Sequence, residues 1–413
     1  MDKTILKNII SLVGIQGANF IIPLITLPYL VRVLEPVGYG NLSFSLALIQ
    51  YFCILVDYGF NLSATQKIAI NKGDNDCISE VFWTTIACKF LLCICGFLFL
   101  CSVIFVYDKA SQIKLILFSA YITVLGNVIF PTWLFQGKEK MGWSAISNIV
   151  ARLLSIPFIF LFITTQHDAW LAALINGISA LGAGFVSLVI VYKEKWIKRK
   201  SIDFNKIKNE FIEGWHVFLS TAAISLYTTS TTVILGLISG PIAVGYYVSA
   251  DKLRLAAQGL ISPISQAFYP RINTLMRRDR DQAFCMIRRL LLILCCITFF
   301  VSLTLFLFAD FLIKLAYGSA YSESVSVLRW LAWLPFIIGF NNVFGVQTLL
   351  VLGKKKVFSK ILILSGIFNV FALLLLAYPF EQKGAAVSVF FTELLVTLLM
   401  YLVIKKNNIP LFK

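Results

Sequence analysis

The sequence predicts an all-α integral membrane protein of twelve transmembrane helices in two six-helix bundles, a parallel pseudo-repeat with both termini cytoplasmic. Three observations lead there: the balance of apolar and charged residues, the sidedness of Lys and Arg, and turn sequences that recur at half the chain length. Of 413 residues, 59% are hydrophobic and 14% charged, with mean hydropathy +0.85. Soluble domains carry about 25% charged residues, so this composition excludes a soluble fold, a disordered chain and a small disulfide scaffold together. A membrane helix takes about 20 predominantly apolar residues, and the apolar content supplies roughly ten to twelve of them.

Apolar runs separated by polar or Gly/Pro clusters place the passes at 8–31, 41–60, 81–106, 114–134, 143–164, 169–192, 214–237, 245–268, 289–313, 327–352, 359–378 and 384–404. The charges test this map independently, because membrane insertion retains Lys and Arg in cytoplasmic loops. Segments on the side of the N-terminus hold twenty-six Lys and Arg, against four on the other side (Arg32, Lys109, Lys114, Lys383). One pass missed or invented would scramble that alternation. The net charge of +16 is therefore mostly a topology signal, and nucleic acid is not an expected partner. Trp83, Trp133, Trp143, Trp170, Trp196, Trp215 and Trp330 fall near pass ends, where amphipathic rings are favoured. The first run is too long for a signal peptide and lacks a small-x-small cleavage site. The nine cysteines show no metal-ligand spacing and read as small apolar fillers.

The repeat joins two turns. Glu35-Pro36-Val37-Gly38-Tyr39-Gly40 follows the first pass and Gly240-Pro241-Ile242-Ala243-Val244-Gly245-Tyr246-Tyr247 follows the seventh, which aligns Gly38 with Gly245 at an offset of 207. Gln136-Gly137-Lys138-Glu139-Lys140 and Gly353-Lys354-Lys355-Lys356 recur likewise, after the fourth and tenth passes. The expected organisation is a bundle over 1–192, a basic amphipathic linker over 193–213, a second bundle over 214–404 and a tail over 405–413. Each half has an even number of passes and enters the membrane the same way. Transporters commonly place the substrate path between two such repeats. In the linker, Trp196, Phe204, Ile207, Phe211 and Trp215 at helical spacing predict an interfacial helix on the anionic inner leaflet.

Ionisable side chains within passes are costly unless they pair or face water, so each is a candidate path residue. Deep in the passes lie Asp57, Lys89, Arg152, Asp251, Lys252, Arg254 and Glu393; Arg32, Asp310, Lys314 and Arg329 lie nearer the outer ends. Residues three, four and seven apart share a helix face. Asp251, Arg254, Gln258 and Ser262 form one polar stripe; Thr221, Ser225, Thr228 and Thr232 another; Ser43, Gln50, Asp57 and Asn61 a third; Ser144, Asn148, Arg152 and Ser155 a fourth. Two readings stay open: a hydrated cavity whose cations Arg32, Lys89, Arg152, Lys252 and Arg254 receive an anion, or charges that pair structurally, as Asp251 and Arg254 can at i,i+3. Pro23 and Pro28 make the first pass a candidate bending element. No phosphate-binding loop, zinc-protease motif or acidic metal cluster occurs, so neither self-contained ATP hydrolysis nor metal catalysis is expected, and no cofactor.

Several runs resemble one family. Tyr51 through Asp57-Tyr58-Gly59 to Ser63-Ala64-Thr65, Pro131-Thr132-Trp133-Leu134-Phe135-Gln136-Gly137-Lys138-Glu139-Lys140-Met141, Tyr227 to Leu235-Gly236, Val244-Gly245-Tyr246-Tyr247, Ala250-Asp251-Lys252-Leu253 and Tyr269-Pro270-Arg271 are similar to Wzx-type O-antigen flippases. These belong to the multidrug/oligosaccharidyl-lipid/polysaccharide exporter superfamily. The resemblance covers essentially the whole chain, and its most specific part is the Pro-x-Trp-Leu-Phe-Gln-Gly run. It implies two bundles around a partly cationic cavity in the bacterial inner membrane. It also implies transfer of an undecaprenyl-pyrophosphate-linked oligosaccharide to the periplasmic leaflet for lipopolysaccharide biosynthesis, without enzymatic activity. Expected partners are membrane lipid and that substrate, with an O-antigen polymerase and a chain-length regulator as candidate protein partners. On this resemblance the five cations offset the pyrophosphate, while Asp57, Asp251 or Glu393 balances charge or couples to H+ or Na+. Glu35 stands where relatives often carry Gly, and Gln66 where they often carry a basic residue, so neither position is assigned an anion contact.

Two other classes remain in view. A cation-coupled drug or metabolite antiporter would share the architecture, although the loop after the second pass lacks the major-facilitator Gly-x-x-x-Asp-Arg-x-Gly-Arg-Arg pattern. A polymerase-type membrane enzyme would be expected to carry a large periplasmic loop, whereas the largest loops here are on the basic side.

Overall fold

The computed structural model describes residues 3–71, 73–200, 204–259 and 262–411. Lys72 and Lys413, both part of the charge asymmetry, lie outside them. Among the described residues all regular structure is helical. It comprises α1 (Lys3–Asp57), α2 (Phe60–Ile70), α3 (Asn75–Val106), α4 (Asp108–Gln112), α5 (Lys114–Ile129), α6 (Thr132–Gly137), α7 (Met141–Phe162) and α8 (Ala169–Lys193). There follow α9 (Phe204–Thr228), α10 (Ser230–Gly259), α11 (Ser262–Arg278), α12 (Arg280–Leu307), α13 (Ala309–Tyr317), α14 (Glu323–Leu331), α15 (Leu334–Asn341), a π-helical continuation over Asn342–Leu350, and α16 (Lys355–Lys406).

Nine described helices are long and apolar enough to cross a membrane, and three of them run 46, 49 and 52 residues. At about 1.5 Å per residue such helices would exceed 65 Å if straight, roughly twice a bilayer core. Each is interrupted by a residue outside helical space, Glu35 (φ 53°, ψ 175°), Gly240 (φ 83°, ψ −177°) and Glu381 (φ 48°, ψ −125°), and the first again at Tyr58 and Gly59. Two of these breaks precede a proline, whose ring pushes the residue before it out of the helical region. The expected bend in the first pass therefore falls at Glu35, and Pro28 sits within continuous helix. At Glu381 the chain turns back on itself, because a Cβ placed on Gly384 would overlap the Leu376 carbonyl.

By packing, the chain divides into two compact units, one of residues 1–40 with 230–413, the other of 41–229. In the first unit the repeated turns touch each other reciprocally. A Cβ on Gly40 would overlap the Pro241 carbonyl, and one on Gly245 would overlap the Pro36 carbonyl. Glu35, Pro36 and Gly40 thus correspond to Gly240, Pro241 and Gly245, which corrects the sequence alignment by two residues. The structural equivalence is set by the distance from the positive-φ residue to the close-approach glycine, a spacing that Gly38 does not share. The interior of this unit is built on Phe268, Ile272, Phe284, Ile287, Leu290, Phe344 and Met400.

In the second unit α5 and α8 lie side by side on a seam of small residues. A Cβ on Gly126 would come within 2.7 Å of the Ala180 Cβ, one on Gly177 within 2.7 Å of the Ile122 Cβ, and Gly184 faces the Ile129 side chain. Both residue series rise together, so the helices run parallel, and absent Cβ atoms allow the close approach that drives association in lipid. The Pro131–Gly137 run makes the short α6, with Trp133, Leu134 and Phe135 fully buried against Ile68, Ile78 and Phe82. Trp133 and Trp196 are therefore core residues here instead of interfacial anchors: the chain folds α6 inward, and Phe135 packs edge-on against Trp196.

Of the positions on which the expected linker helix rested, Phe204, Ile207, Phe211 and Trp215 lie on α9 and Trp196 does not. α8 ends at Lys193, Lys195 takes φ 51°, and 196–200 is irregular chain laid along α3. The Lys198 amide donates to Ser79 Oγ at 2.8 Å and Trp83 Nε1 donates to the Lys198 carbonyl at 3.0 Å. Lys198 pairs with Asp76 and Lys200 with Glu80 at 3.2 and 3.6 Å, so acidic groups at the start of α3 hold this stretch. Asp74 caps α3 by accepting from the Asp76 and Cys77 amides, and those bonds hold its carboxyl below the usual carboxylate range.

Gly40→Ala or Gly245→Ala must separate two backbones, and a loss of about 1–3 kcal/mol is expected. Gly182→Ala, whose nearest new neighbour would be 3.9 Å away, should leave stability unchanged or raise it. Thermal unfolding of the three detergent-purified variants checks the contrast; equal midpoints would remove the reciprocal turn contact from the account.

Candidate functional site

The charged side chains inside apolar helices sort by what satisfies them. In the second unit Lys89 is fully buried on α3, and its ammonium donates to Asp57 Oδ1 at 2.8 Å and to the Asn127 carbonyl at 3.2 Å. Asp57 stays 28% exposed at the last residue of α1. Immediately after it, Tyr58 (φ 41°) and Gly59 (φ 81°) break the helix. The Tyr58 ring then stacks on Phe218 at 4.8 Å and meets Phe211 edge-on at 5.2 Å. Asn127 was not singled out from sequence; a lone carboxamide in the otherwise apolar stretch 124–130 was the available signal.

In the first unit the Asp251 stripe is a closed network. Arg254 is 9% exposed, its Nε donates to Asp251 Oδ1 at 2.8 Å, and its Nη1 donates to Gln258 Oε1 at 2.5 Å. The Glu393 carboxylate on α16 also acts on this guanidinium electrostatically. Asn341 donates to Glu393 Oε2 at 2.7 Å, and Thr397 donates to Asn341 Oδ1 at 2.6 Å. Asn341 ends α15 just before the π-helical segment, a backbone form that often marks functional positions. Within that segment Asn342 accepts from Ser265 Oγ at 2.5 Å, and Gln347 donates to Ser265 Oγ at 2.9 Å. Gln258, Ser265 and Asn342 line, with Leu294, Pro335 and Ile338, a small cavity of about 110 Å³, room for a few waters at about 30 Å³ each.

Arg32 meets backbone. Its Nε donates to the Ala316 carbonyl at 2.9 Å and its Nη2 donates to the Leu315 carbonyl, so it caps the C-terminal end of α13, where a cation is favoured. Asp310 and Lys314 pair with each other on the exposed face of the same helix.

Arg152 and Lys252 differ. Both are exposed, and neither side chain has a partner among the described residues. Arg152 lies at the middle of α7, where Ser147, Asn148 and Ser155 donate to carbonyls of their own helix. Beyond it α7 and α8 enclose an apolar groove of about 460 Å³ lined by Leu154, Phe158, Phe162, Leu171 and Ile178. The eight charged positions named from sequence thus resolve into an Asp57–Lys89 pair, an Asp251–Arg254–Glu393 network, one capping arginine and two unengaged cations.

Long apolar helices, charges buried in matched groups and unengaged cations define a multi-pass transporter fold. Solved structures agree. The lipid II flippase MurJ, in an inward closed conformation, superposes with TM-score 0.73 at 12% identity over 96% of this chain and 87% of that one. An inward-facing multidrug resistance MATE family transporter of the MOP superfamily gives 0.70 at 14% identity over 96% and 94%. The chain belongs to the polysaccharide biosynthesis protein family, whose sequence model matches residues 5–276. An Escherichia coli (strain K12) protein named "Putative O-antigen transporter" is 40% identical over 98% of this chain and 97% of its own. A Shigella dysenteriae protein of the same name is 31% identical over 97% and 100%.

Lys89→Met removes the ammonium and leaves Asp57 uncompensated. Because Asp57 keeps some solvent, a cost near the lower end of the 3–5 kcal/mol range for broken buried pairs is expected, about 3 kcal/mol. Lys89→Met with Asp57→Asn should recover part of it. Unfolding midpoints and membrane levels measure both; an unaffected single variant would show that the pair is not structural.

Proposed function

We propose that this protein is a flippase that carries an undecaprenyl-pyrophosphate-linked O-antigen oligosaccharide from the cytoplasmic to the periplasmic leaflet of the bacterial inner membrane by alternating access. The full-length similarity to proteins named as O-antigen transporters supports the class of cargo. The geometric observation that carries the reading is the pair of unengaged cations, Arg152 and Lys252, at mid-helix in apolar segments. A side chain so placed costs several kcal/mol unless it meets an anion or water, and a pyrophosphate bearing a sugar supplies the anion.

On this reading Arg152 and Lys252 contact the headgroup, and Arg32, Lys89 and Arg254 hold helices in place. Asp57, Asp251 and Glu393 balance charge within their own networks, and the driving cation, H+ or Na+, acts through their residual exposure. Twelve passes follow when each of the three broken helices counts twice, and the Lys and Arg asymmetry then assigns both termini to the cytoplasm. The apolar groove beside Arg152 suits the polyprenyl tail, which stays in a hydrocarbon environment while the headgroup moves.

Complementation of a flippase-deficient strain tests the assignment. Arg152→Gln and Lys252→Gln should each reduce surface O-antigen by about tenfold or more, a loss of ~1.4 kcal/mol of interaction, at unchanged membrane levels. The lipid-linked unit should accumulate inside. Full O-antigen ladders from both variants would remove these residues from the path.

A further inference from the structure

In the unit of residues 1–40 and 230–413, proton accounting fixes the polar lining of the cavity of about 110 Å³. Gln347 Nε2 donates to the carbonyl and the hydroxyl of Ser265, at 3.0 and 2.9 Å, so the one Ser265 hydroxyl proton goes to Asn342 Oδ1 at 2.5 Å. Asn342 therefore turns its Nδ2 away from Ser265. The Arg254 guanidinium can only donate, so Gln258 meets Nη1 through Oε1 at 2.5 Å and its Nε2 is left over in the same way. Two carboxamide NH2 groups are thus without a hydrogen-bond partner among the described residues. Both residues line the cavity and keep accessible surface, and neither nitrogen is among the chain's sealed, unpartnered polar atoms. A ligand in the cavity can reach them.

The lining selects that ligand's chemistry. Unengaged N–H groups repel a metal cation. The Arg254 charge beside Gln258 is offset by Asp251 at 2.6 Å and by Glu393, which leaves no positive surplus for a phosphate. The donors call instead for a neutral acceptor oxygen. Leu294, Pro335 and Ile338 make the rest of the wall largely apolar. Size narrows the choice further, since about 110 Å³ equals three to four waters at ~30 Å³ each. That is too small for a sugar ring with its hydroxyls, and it matches the four heavy atoms of an acetamido group, which offers a carbonyl oxygen to the donors and a methyl to the apolar wall.

We propose that this cavity receives the acetamido substituent of an N-acetylated sugar, with the acetyl oxygen accepting from Asn342 Nδ2 and Gln258 Nε2 and the methyl resting on Leu294, Pro335 and Ile338. The subsite rests on the flippase reading for its biological role and makes an N-acetylhexosamine part of the carried oligosaccharide.

Saturation-transfer NMR on the full-length protein in detergent reads binding without any transport assay. N-acetylglucosamine and N-acetylgalactosamine are the probes; glucose, acetamide and sodium acetate are the comparisons. The acetyl methyl protons should take up more saturation than the ring protons, glucose should take up none, and acetamide should displace the N-acetyl sugars where acetate does not. Gln258→Glu keeps an oxygen for Arg254 and Asn342→Asp keeps one for Ser265, so each replaces only the donor. Either variant should weaken acetyl binding about fivefold or more, as loss of one hydrogen bond predicts, and where one proves unstable the other decides. The subsite is overturned if no N-acetyl sugar takes up saturation, if glucose does so equally, if a folded variant leaves the acetyl signal unchanged, or if acetate competes as well as acetamide, which would mark an anion site. Because wild-type complementation of surface O-antigen is scored separately, loss of the subsite leaves the flippase reading standing, and loss of that reading leaves the saturation measurement intact.

Discussion

A cation inside an apolar helix has to find acceptors, and the internal structure of each unit follows from how that demand is met. Lys89 draws Asp57 and the Asn127 carbonyl together, which fixes α3 against the end of α1 and against α5. Arg254 gathers Asp251 and Gln258 from its own helix and feels Glu393 from α16. Arg32 spends its donors on the carbonyls that end α13. Each arrangement offsets a desolvation cost that hydrocarbon would otherwise impose. What remains after this matching is Arg152 and Lys252, both exposed and without a side-chain partner among the described residues.

Much of the helix pattern was legible because hydropathy acts locally. The passes expected at 81–106, 143–164 and 169–192 correspond to Asn75–Val106, Met141–Phe162 and Ala169–Lys193. Turn chemistry was legible only in part. The repeated Gly/Pro turns were visible, but Glu35 is not a residue whose type announces positive φ, so the spacing that equates Gly40 with Gly245 needed the backbone. The linker was legible in part: Phe204, Ile207, Phe211 and Trp215 do fall on α9, whereas bonds to Ser79, Asp76 and Glu80 hold 196–200 out of helical structure.

The site was less legible than the fold. Which helices lie side by side is a tertiary fact, so Asp57 and Lys89 could be named as candidates but not as partners. Asp251 and Arg254 could be paired because their relation is local, three residues apart on one helix. The motif most specific to the family turns out to be a packing device: Trp133, Leu134 and Phe135 are buried side chains, and Gly137 lies against Ile68. Family likeness in that run reports a shared scaffold, while the cargo contacts proposed above, Arg152 and Lys252, are scattered polar residues.

On the proposed reading Arg152, in one unit, and Lys252, in the other, each favour a doubly phosphorylated headgroup. Transfer across reconstituted liposomes, using fluorescent undecaprenyl-linked oligosaccharides and a membrane-impermeant quencher, measures this preference directly. Faster transfer of the pyrophosphate-linked lipid than of its monophosphate-linked counterpart is expected, with the difference shrinking when Arg152 and Lys252 are both neutralised. Equal rates for the two lipids in the wild-type protein, or a preference untouched by that double replacement, would contradict it.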